Sequence, residues 1–167
     1  MPAKDLPFDP IAEAARQWSA HGWSDAAPGM AAVTSVVRVQ QLMMARLEDV
    51  LRPFNLTFAR YELLQLLAFS RAGSMSLSRI GSLLQVHPAS ITNAVDRCEA
   101  QGLVRRLPHP TDRRATLAEL TAPGRELVTK ATDSLNREIF ADLGLSAGDI
   151  TTLVEILGRF RAGHGDF

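Results

Sequence analysis

The residues best suited to chemistry lie between positions 88 and 114. Ala89, Ser90, Thr92 and Asn93 are small, and three of them carry a hydroxyl or amide that both donates and accepts hydrogen bonds. Arg97 follows one helical turn later, on a helix that opens at Pro88. Ile91, Val95 and Cys98, at i, i+4 and i+7, give that helix an apolar back. A helix with a small polar front and an anchored rear suits the DNA major groove, which is about 12 Å wide. Ser90, Thr92 and Asn93 are therefore candidates for base-edge contacts, with Pro88 and Ala89 allowing close approach. Arg97, Arg105 and Arg106 are candidates for phosphate contacts. Further on, Pro108-His109-Pro110-Thr111-Asp112 reads as a hairpin tip that holds Arg113 and Arg114 away from the body, at a reach suited to a flanking minor groove or its phosphates.

The elements that must position these residues are legible from hydrophobic period and breakers. A short helix is expected over 10–20, punctuated by Trp18, His21 and Trp23 ahead of Ala26-Ala27-Pro28-Gly29. From Ala31 to Arg52 apolar residues recur at helical spacing until Pro53 stops them. Thr57 is placed to cap a second helix, and Leu63, Leu64, Leu66 and Leu67 make it apolar on more than one side, hence central. Ser76 caps a short helix carrying Leu77, Ile80, Leu83 and Leu84; Val86-His87-Pro88 separates it from the next, which Gly102 ends. Leu103–Leu107 and Ala115–Leu120 are extended candidates around the Pro-rich tip. Thr121 opens a helix to about Asp142, and Ser146 with Asp149 starts a last one whose stripe is Ile150, Leu153, Val154, Leu157 and Phe160.

Charge and composition narrow the function classes. The 167 residues suffice for one domain, or one domain with an extension. Eighteen basic and eighteen acidic side chains cancel. Their distribution is uneven: residues 1–30 hold two basic and four acidic groups, 121–167 hold five and seven, and 31–120 holds eleven and seven. The densest basic patch is 104–116, where Arg105, Arg106, Arg113 and Arg114 face only Asp112. Sixteen of the eighteen cations are arginine, whose planar fork matches phosphates and guanine edges. Cys98 is the sole cysteine, which excludes an intramolecular disulfide and a multi-cysteine zinc site. His21, His87, His109 and His164 have no i, i+4 partner, and there is no nucleophile elbow or glycine-rich phosphate loop. No catalytic site, metal or cofactor is expected. No apolar run reaches the ~18 residues of a membrane span and no signal pattern opens the chain, so the expectation is a soluble, cytoplasmic protein.

At this point a family resemblance enters. The run Leu77, Ile80, Leu83-Leu84, Val86, Ser90-Ile91-Thr92, Val95, Glu99 and Gly102-Leu103-Val104-Arg105-Arg106 resembles the helix–turn–helix core of the MarR family of transcriptional regulators. Asp112-Arg113-Arg114 and then Leu120-Thr121 and Gly124 resemble that family's wing and its exit into the next helix. Element order is similar over about 31–160, motif detail over 76–124. The resemblance implies a dimeric winged helix–turn–helix protein on pseudo-palindromic promoter DNA, a repressor released by a small ligand. It makes the helix from Pro88 the recognition helix, has Asp112 brace the wing arginine, and sends Arg113 or Arg114 into the minor groove. Cys98 stands where the family often has leucine, and the arm of about thirty residues is longer than in many members.

The fold expected is mainly α with a small β-hairpin wing. Its parts are an N-terminal arm with a short helix over 1–30, a winged helix–turn–helix unit over 57–120, and a helical dimerisation region from 31–56 and 121–167. The apolar stripes of that last region exceed what the middle of the chain can cover, which pairing with a second copy would resolve; an intrachain bundle is the alternative. Met43 and Met44, which repack easily, are candidates to line an effector pocket. A second function class stays open, a winged helix that binds another protein rather than double-stranded DNA.

Overall fold

The computed structural model describes residues 6–112 and 114–167. Contacts divide the chain into two units, one ending at Asp49 and the other running from Val50 to Phe167. In the first, α1 (Pro10–Ala20) starts where the Asp9 carboxylate accepts the Ile11 N–H at 2.9 Å and Pro10 supplies a preset φ. Gly22 turns the chain at φ +86°, and the rings of Trp18 and Trp23 meet at 5.3 Å between centroids. Helix α2 (Ala27–Leu51) then runs for 25 residues. It starts four residues before the expected Ala31, because proline is tolerated in a helix's first turn, where its missing N–H would have had no partner. Val33, Val36 and Val37 are exposed on α2.

The second unit holds the larger core. Asn55, at φ +52°, leads from a short 3₁₀ turn (Arg52–Phe54) toward α3 (Phe58–Phe69), capped as expected by Thr57, whose hydroxyl accepts the Arg60 N–H. Leu63, Leu64 and Leu67 have no exposed surface, which makes α3 the central element the leucine pattern predicted. After it come β1 (Ser74–Ser76), α4 (Leu77–Leu84), α5 (Pro88–Ala100), β2 (Val104–Pro108), β3 (Thr116–Leu120), α6 (Ala122–Leu135) and α7 (Ala147–Gly163). The architecture is mainly helical with a small antiparallel sheet. That sheet has three strands in the order β1-β3-β2, one more than the hairpin expected from sequence. β1 is only three residues long, too short to show an alternating pattern, and pairs Ser74 with Glu119 and Ser76 with Leu117. The helix expected to reach Asp142 is α-helical only to Leu135, continues as a wider π-type turn over Asn136–Phe140, and buries Ile139 on the way.

One seam closes this unit. The Thr121 hydroxyl accepts the Gly124 N–H at 3.1 Å, capping α6, and shares its own hydrogen between the carbonyls of Gly102 and Leu103 at 2.7 and 3.0 Å. The Thr121 N–H also donates to the Leu103 carbonyl, at 3.1 Å. The first turn of α6 is thereby pressed against the backbone that enters β2. A Cβ at Gly124 would lie 2.1 Å from the Leu103 carbonyl oxygen, so only glycine fits. Gly124→Ala should therefore cost about 1–3 kcal/mol, or more if the seam opens, and lower the melting temperature by roughly 2–4 °C per kcal/mol in a chain of this size. Gly148→Ala is the control: its Cβ would meet nothing nearer than the Ser146 hydroxyl at 3.9 Å, and its melting curve should stay within about 2 °C of wild type.

Candidate nucleic-acid interface

Two helices and a three-residue turn build the front of the site. The Ser76 hydroxyl accepts the Arg79 N–H and starts α4, which ends at Gln85 in the left-handed conformation, φ +54°. The backbone then turns through Val86 and His87. His87 caps α5, its Nδ1 accepting the Ala89 N–H at 3.2 Å, and Pro88 fills the first helical position. Ile91, Val95 and Cys98 are buried at the rear of α5, leaving Pro88, Ala89, Ser90, Thr92, Asn93 and Arg97 exposed along its front. Two of these side chains are already oriented. The Thr92 hydroxyl donates to the Pro88 carbonyl at 3.2 Å, and Arg97 Nε donates to Asn93 Oδ1 at 3.2 Å. With its oxygen occupied, the Asn93 amide presents Nδ2 as a donor.

Cys98 belongs to the anchor. It has no exposed surface, and burial pushes its thiol up to about 11, against the pull of Arg60. At neutral pH almost none of it is thiolate, the form that reacts.

The arginines after α5 divide by strand alternation. β2 pairs Val104 with Leu120, Arg105 with Glu119 and Arg106 with Ala118. Val104, Leu120 and Ala118 are buried, so Arg106 points to the inner side and Arg105 to the outer. Arg105 is exposed and pairs across the strands with Glu119. Arg106 is held by two acids of α5: its Nη2 meets Asp96 at 2.6 Å, its Nη1 meets Glu99 at 2.5 Å, and its backbone N–H donates to Glu99 at 2.9 Å. In the single chain the Arg106 guanidinium, expected as a phosphate clamp, thus meets two carboxylates and joins β2 to α5. Strand parity places it there: an arginine two residues after a buried valine lies on the same side of the strand.

At the tip, the Asp112 carboxylate accepts the Arg114 N–H at 2.9 Å, and its carbonyl accepts the Ala115 N–H at 3.0 Å. Asp112 thus holds the backbone beneath an exposed Arg114 rather than its guanidinium. Arg113 lies outside the described residues. Met43 is exposed on α2 and Met44 half-buried. Among the described residues no cluster of three histidine, cysteine or acidic side chains is arranged to hold a metal, and no helix is long and apolar enough to cross a membrane.

The MarR family model matches residues 56–116, the stretch from the approach to α3 through the wing tip. Sco5413, a MarR family transcriptional regulator from Streptomyces coelicolor, superposes with a TM-score of 0.76 at 43% identity, covering 84% of this chain and 97% of that one. The chain belongs to the MarR family. It is therefore a DNA-binding transcriptional regulator rather than an enzyme. A MarR mutant from Escherichia coli, solved in complex with operator DNA, is 25% identical with a TM-score of 0.70 over 76% of this chain and 91% of its own. YhbI, an uncharacterised HTH-type transcriptional regulator of Bacillus subtilis, is 38% identical over 85 residues, 51% of this chain and 54% of its own length, so the match spans about half of that regulator.

The Arg106 lock in this MarR chain has a pH signature. Hydrogen bonds from the Arg106 backbone and side chain hold the Glu99 carboxyl below its ordinary value. A group lowered on folding stabilises the fold above its unfolded pKa, and that contribution is lost as pH falls through the lowered value. Wild type should therefore lose stability on acidification below the usual carboxylate range, and Glu99→Gln should remove part of that acid limb. Melting temperatures followed from pH 7 to pH 3 check this; superposable curves for the two proteins would show the lock to be idle.

Proposed function

We propose that the chain is a homodimeric repressor that reads a pseudo-palindromic promoter site through α5 and is released by a small ligand. The observation that carries this reading is the front of α5: a small polar face left exposed while its apolar rear is buried and its Asp96 and Glu99 pair with Arg106 of β2. Ser90, Thr92 and Asn93 make the base-edge contacts, and Pro88 and Ala89 allow the helix close approach. Arg97 and Arg105 serve phosphates. Arg114, with Arg113 beside it in sequence, supplies the wing contact that Asp112 positions. The operator complex of the Escherichia coli relative supports DNA as the partner.

The second copy follows from apolar exposure. Val33, Val36 and Val37 on α2 and Val154, Leu157 and Phe160 on α7 are all solvent-exposed in the single chain. Segments 31–56 and 121–167 pairing with their equivalents would bury these stripes and set two α5 helices on successive major grooves, about 34 Å apart. A ligand needs only to bind the wrong spacing of those helices more tightly, and tenfold preference corresponds to about 1.4 kcal/mol. Met43 and Met44 are the side chains we assign to such a pocket's wall.

Fluorescence anisotropy tests the DNA reading, using the chain's own upstream intergenic duplex and a shuffled duplex across a salt series. Wild type should prefer the native duplex, with a steep fall of log affinity against log salt. Asn93→Ala should erase about 1–3 kcal/mol of that preference, while Arg114→Ala should weaken both duplexes alike and flatten the slope by about one. Weak, shallow binding that ignores sequence, repeated on duplexes selected genome-wide, would instead favour a winged helix that docks on another protein. For the second copy, Phe160→Asp should shift sedimentation from dimer to monomer at micromolar concentration; a monomeric wild type would remove the two-fold from the proposal.

A further inference from the structure

We propose that His109 is a positioning residue of the wing, and that its neutral imidazole is required to hold Arg114 where DNA can meet it, so that acid weakens binding through this one ring. The inference rests on the DNA-binding reading above and adds a condition to it.

The tip spans 109–115 and is closed by the His109 N–H, which donates to the Ala115 carbonyl at 3.2 Å. Inside that loop, the His109 ring is the acceptor. Its Nδ1 takes the Asp112 N–H at 3.1 Å and the Thr111 N–H at 3.4 Å, with the Thr111 hydroxyl also at 3.4 Å. Backbone amides can only donate, so Nδ1 must be unprotonated and the ring hydrogen must sit on Nε2. The chain of dependence is short. The ring fixes the Asp112 backbone, and the Asp112 carboxylate in turn fixes the Arg114 N–H at 2.9 Å. Pro108 and Pro110 flank the histidine and restrict the backbone around it, so the ring does not drift from its partners.

Protonation replaces the Nδ1 lone pair with an N–H. Two donors then face a third, and both backbone bonds are lost. The positive ring also attracts the Asp112 carboxylate, which draws it from the Arg114 N–H. The charged groups in the described tip are Asp112 and Arg114. The other residues around the adjacent cleft, from β1, α4 and β3, are uncharged. Phosphates of bound DNA act in the opposite sense, favouring the charged ring. Their pull on one exposed cation is screened within about 8 Å at physiological salt, whereas the lost acceptor removes both backbone bonds that the ring makes inside the turn. Histidine is the side chain that makes this exchange between pH 5 and 8.

Asparagine separates the acceptor from the titration. Its Oδ1 accepts backbone amides two or three residues on, as asparagine commonly does in turns, and it does not ionise. The experiment compares the full-length wild type, His109→Asn and His109→Ala at pH 8 and pH 5.5. The DNA probe is a duplex enriched from a random pool by the wild type at pH 8. In parallel, the Thr111 and Asp112 amides are followed by ¹H–¹⁵N NMR without DNA. The wild-type amides should shift and broaden on acidification while those of His109→Asn stay in place. Wild-type affinity should fall about five- to tenfold more than that of His109→Asn, the scale of one lost hydrogen bond. His109→Ala should be weak at both pH values. His87 is retained in all three proteins, so its titration cancels. Parallel affinity profiles for wild type and His109→Asn, or tip amides indifferent to pH, would overturn the proposal. A failure to enrich any duplex at pH 8 would count against the DNA-binding reading itself, and the amide titration would then decide the tip lock alone.

Discussion

The structure depends on one close approach: the first turn of α6 resting on the backbone that enters β2. Thr121 and Gly124 make it possible, one by capping α6 while binding two carbonyls across the seam, the other by having no Cβ to collide with Leu103. That contact returns the chain from the wing to the central leucines of α3. It also sets the height of β2 against α5, and the Arg106 bridge to Asp96 and Glu99 then fixes their angle. The face of α5 can be small and polar because none of its front side chains is needed for this architecture. Anchoring is done from behind and from the side.

Most of the element order was legible because it follows from period and caps. Thr57, Ser76, Thr121 and Ser146 each cap the helix that the apolar spacing placed after them, and Ile91, Val95 and Cys98 lie buried as their i, i+4, i+7 spacing required. What escaped had no local signature. β1 exists because β3 offers it an edge, a tertiary cause that three residues cannot announce. The start of α2 lies four residues before the expected Ala31 because a helix's first turn accepts Pro28. The change to a wider turn after Leu135 likewise leaves no mark in composition; it buries Ile139.

The candidate site was legible in kind but not in division of labour. Composition groups Arg105 and Arg106 together as a basic pair, whereas a strand must send neighbours to opposite faces. The difference is functional. An exposed cross-strand pair such as Arg105–Glu119 contributes about 0–1 kcal/mol, little enough to be exchanged for a phosphate. Arg106 has two carboxylates, and Glu99 also accepts its backbone N–H, so releasing it would loosen β2 from α5 as well as strand two acids. The same residue type, one position apart, has a single exposed partner in one case and two carboxylates in the other.

This division explains how a chain of zero formal charge can be suited to a polyanion. Non-specific affinity grows with the number of cations that neutralise phosphates, and log affinity against log salt steepens by about 0.9 for each one. A wing whose arginines were all free would hold any duplex strongly and leave little room for sequence to matter. Here acids withdraw part of that capacity: Glu99 and Asp96 both pair with Arg106, and Glu119 pairs with the exposed Arg105. In the proposed reading, discrimination would rest on the donors and acceptors of α5, with Arg97 turning the Asn93 amide so that Nδ2 faces outward. Because those groups are short, they would contribute only if the helix entered deeply and at a fixed angle. The seam at Gly124 and the Arg106 bridge supply rigidity of that kind, so the acids that would lower the affinity for any DNA would also hold the geometry that selects among sequences.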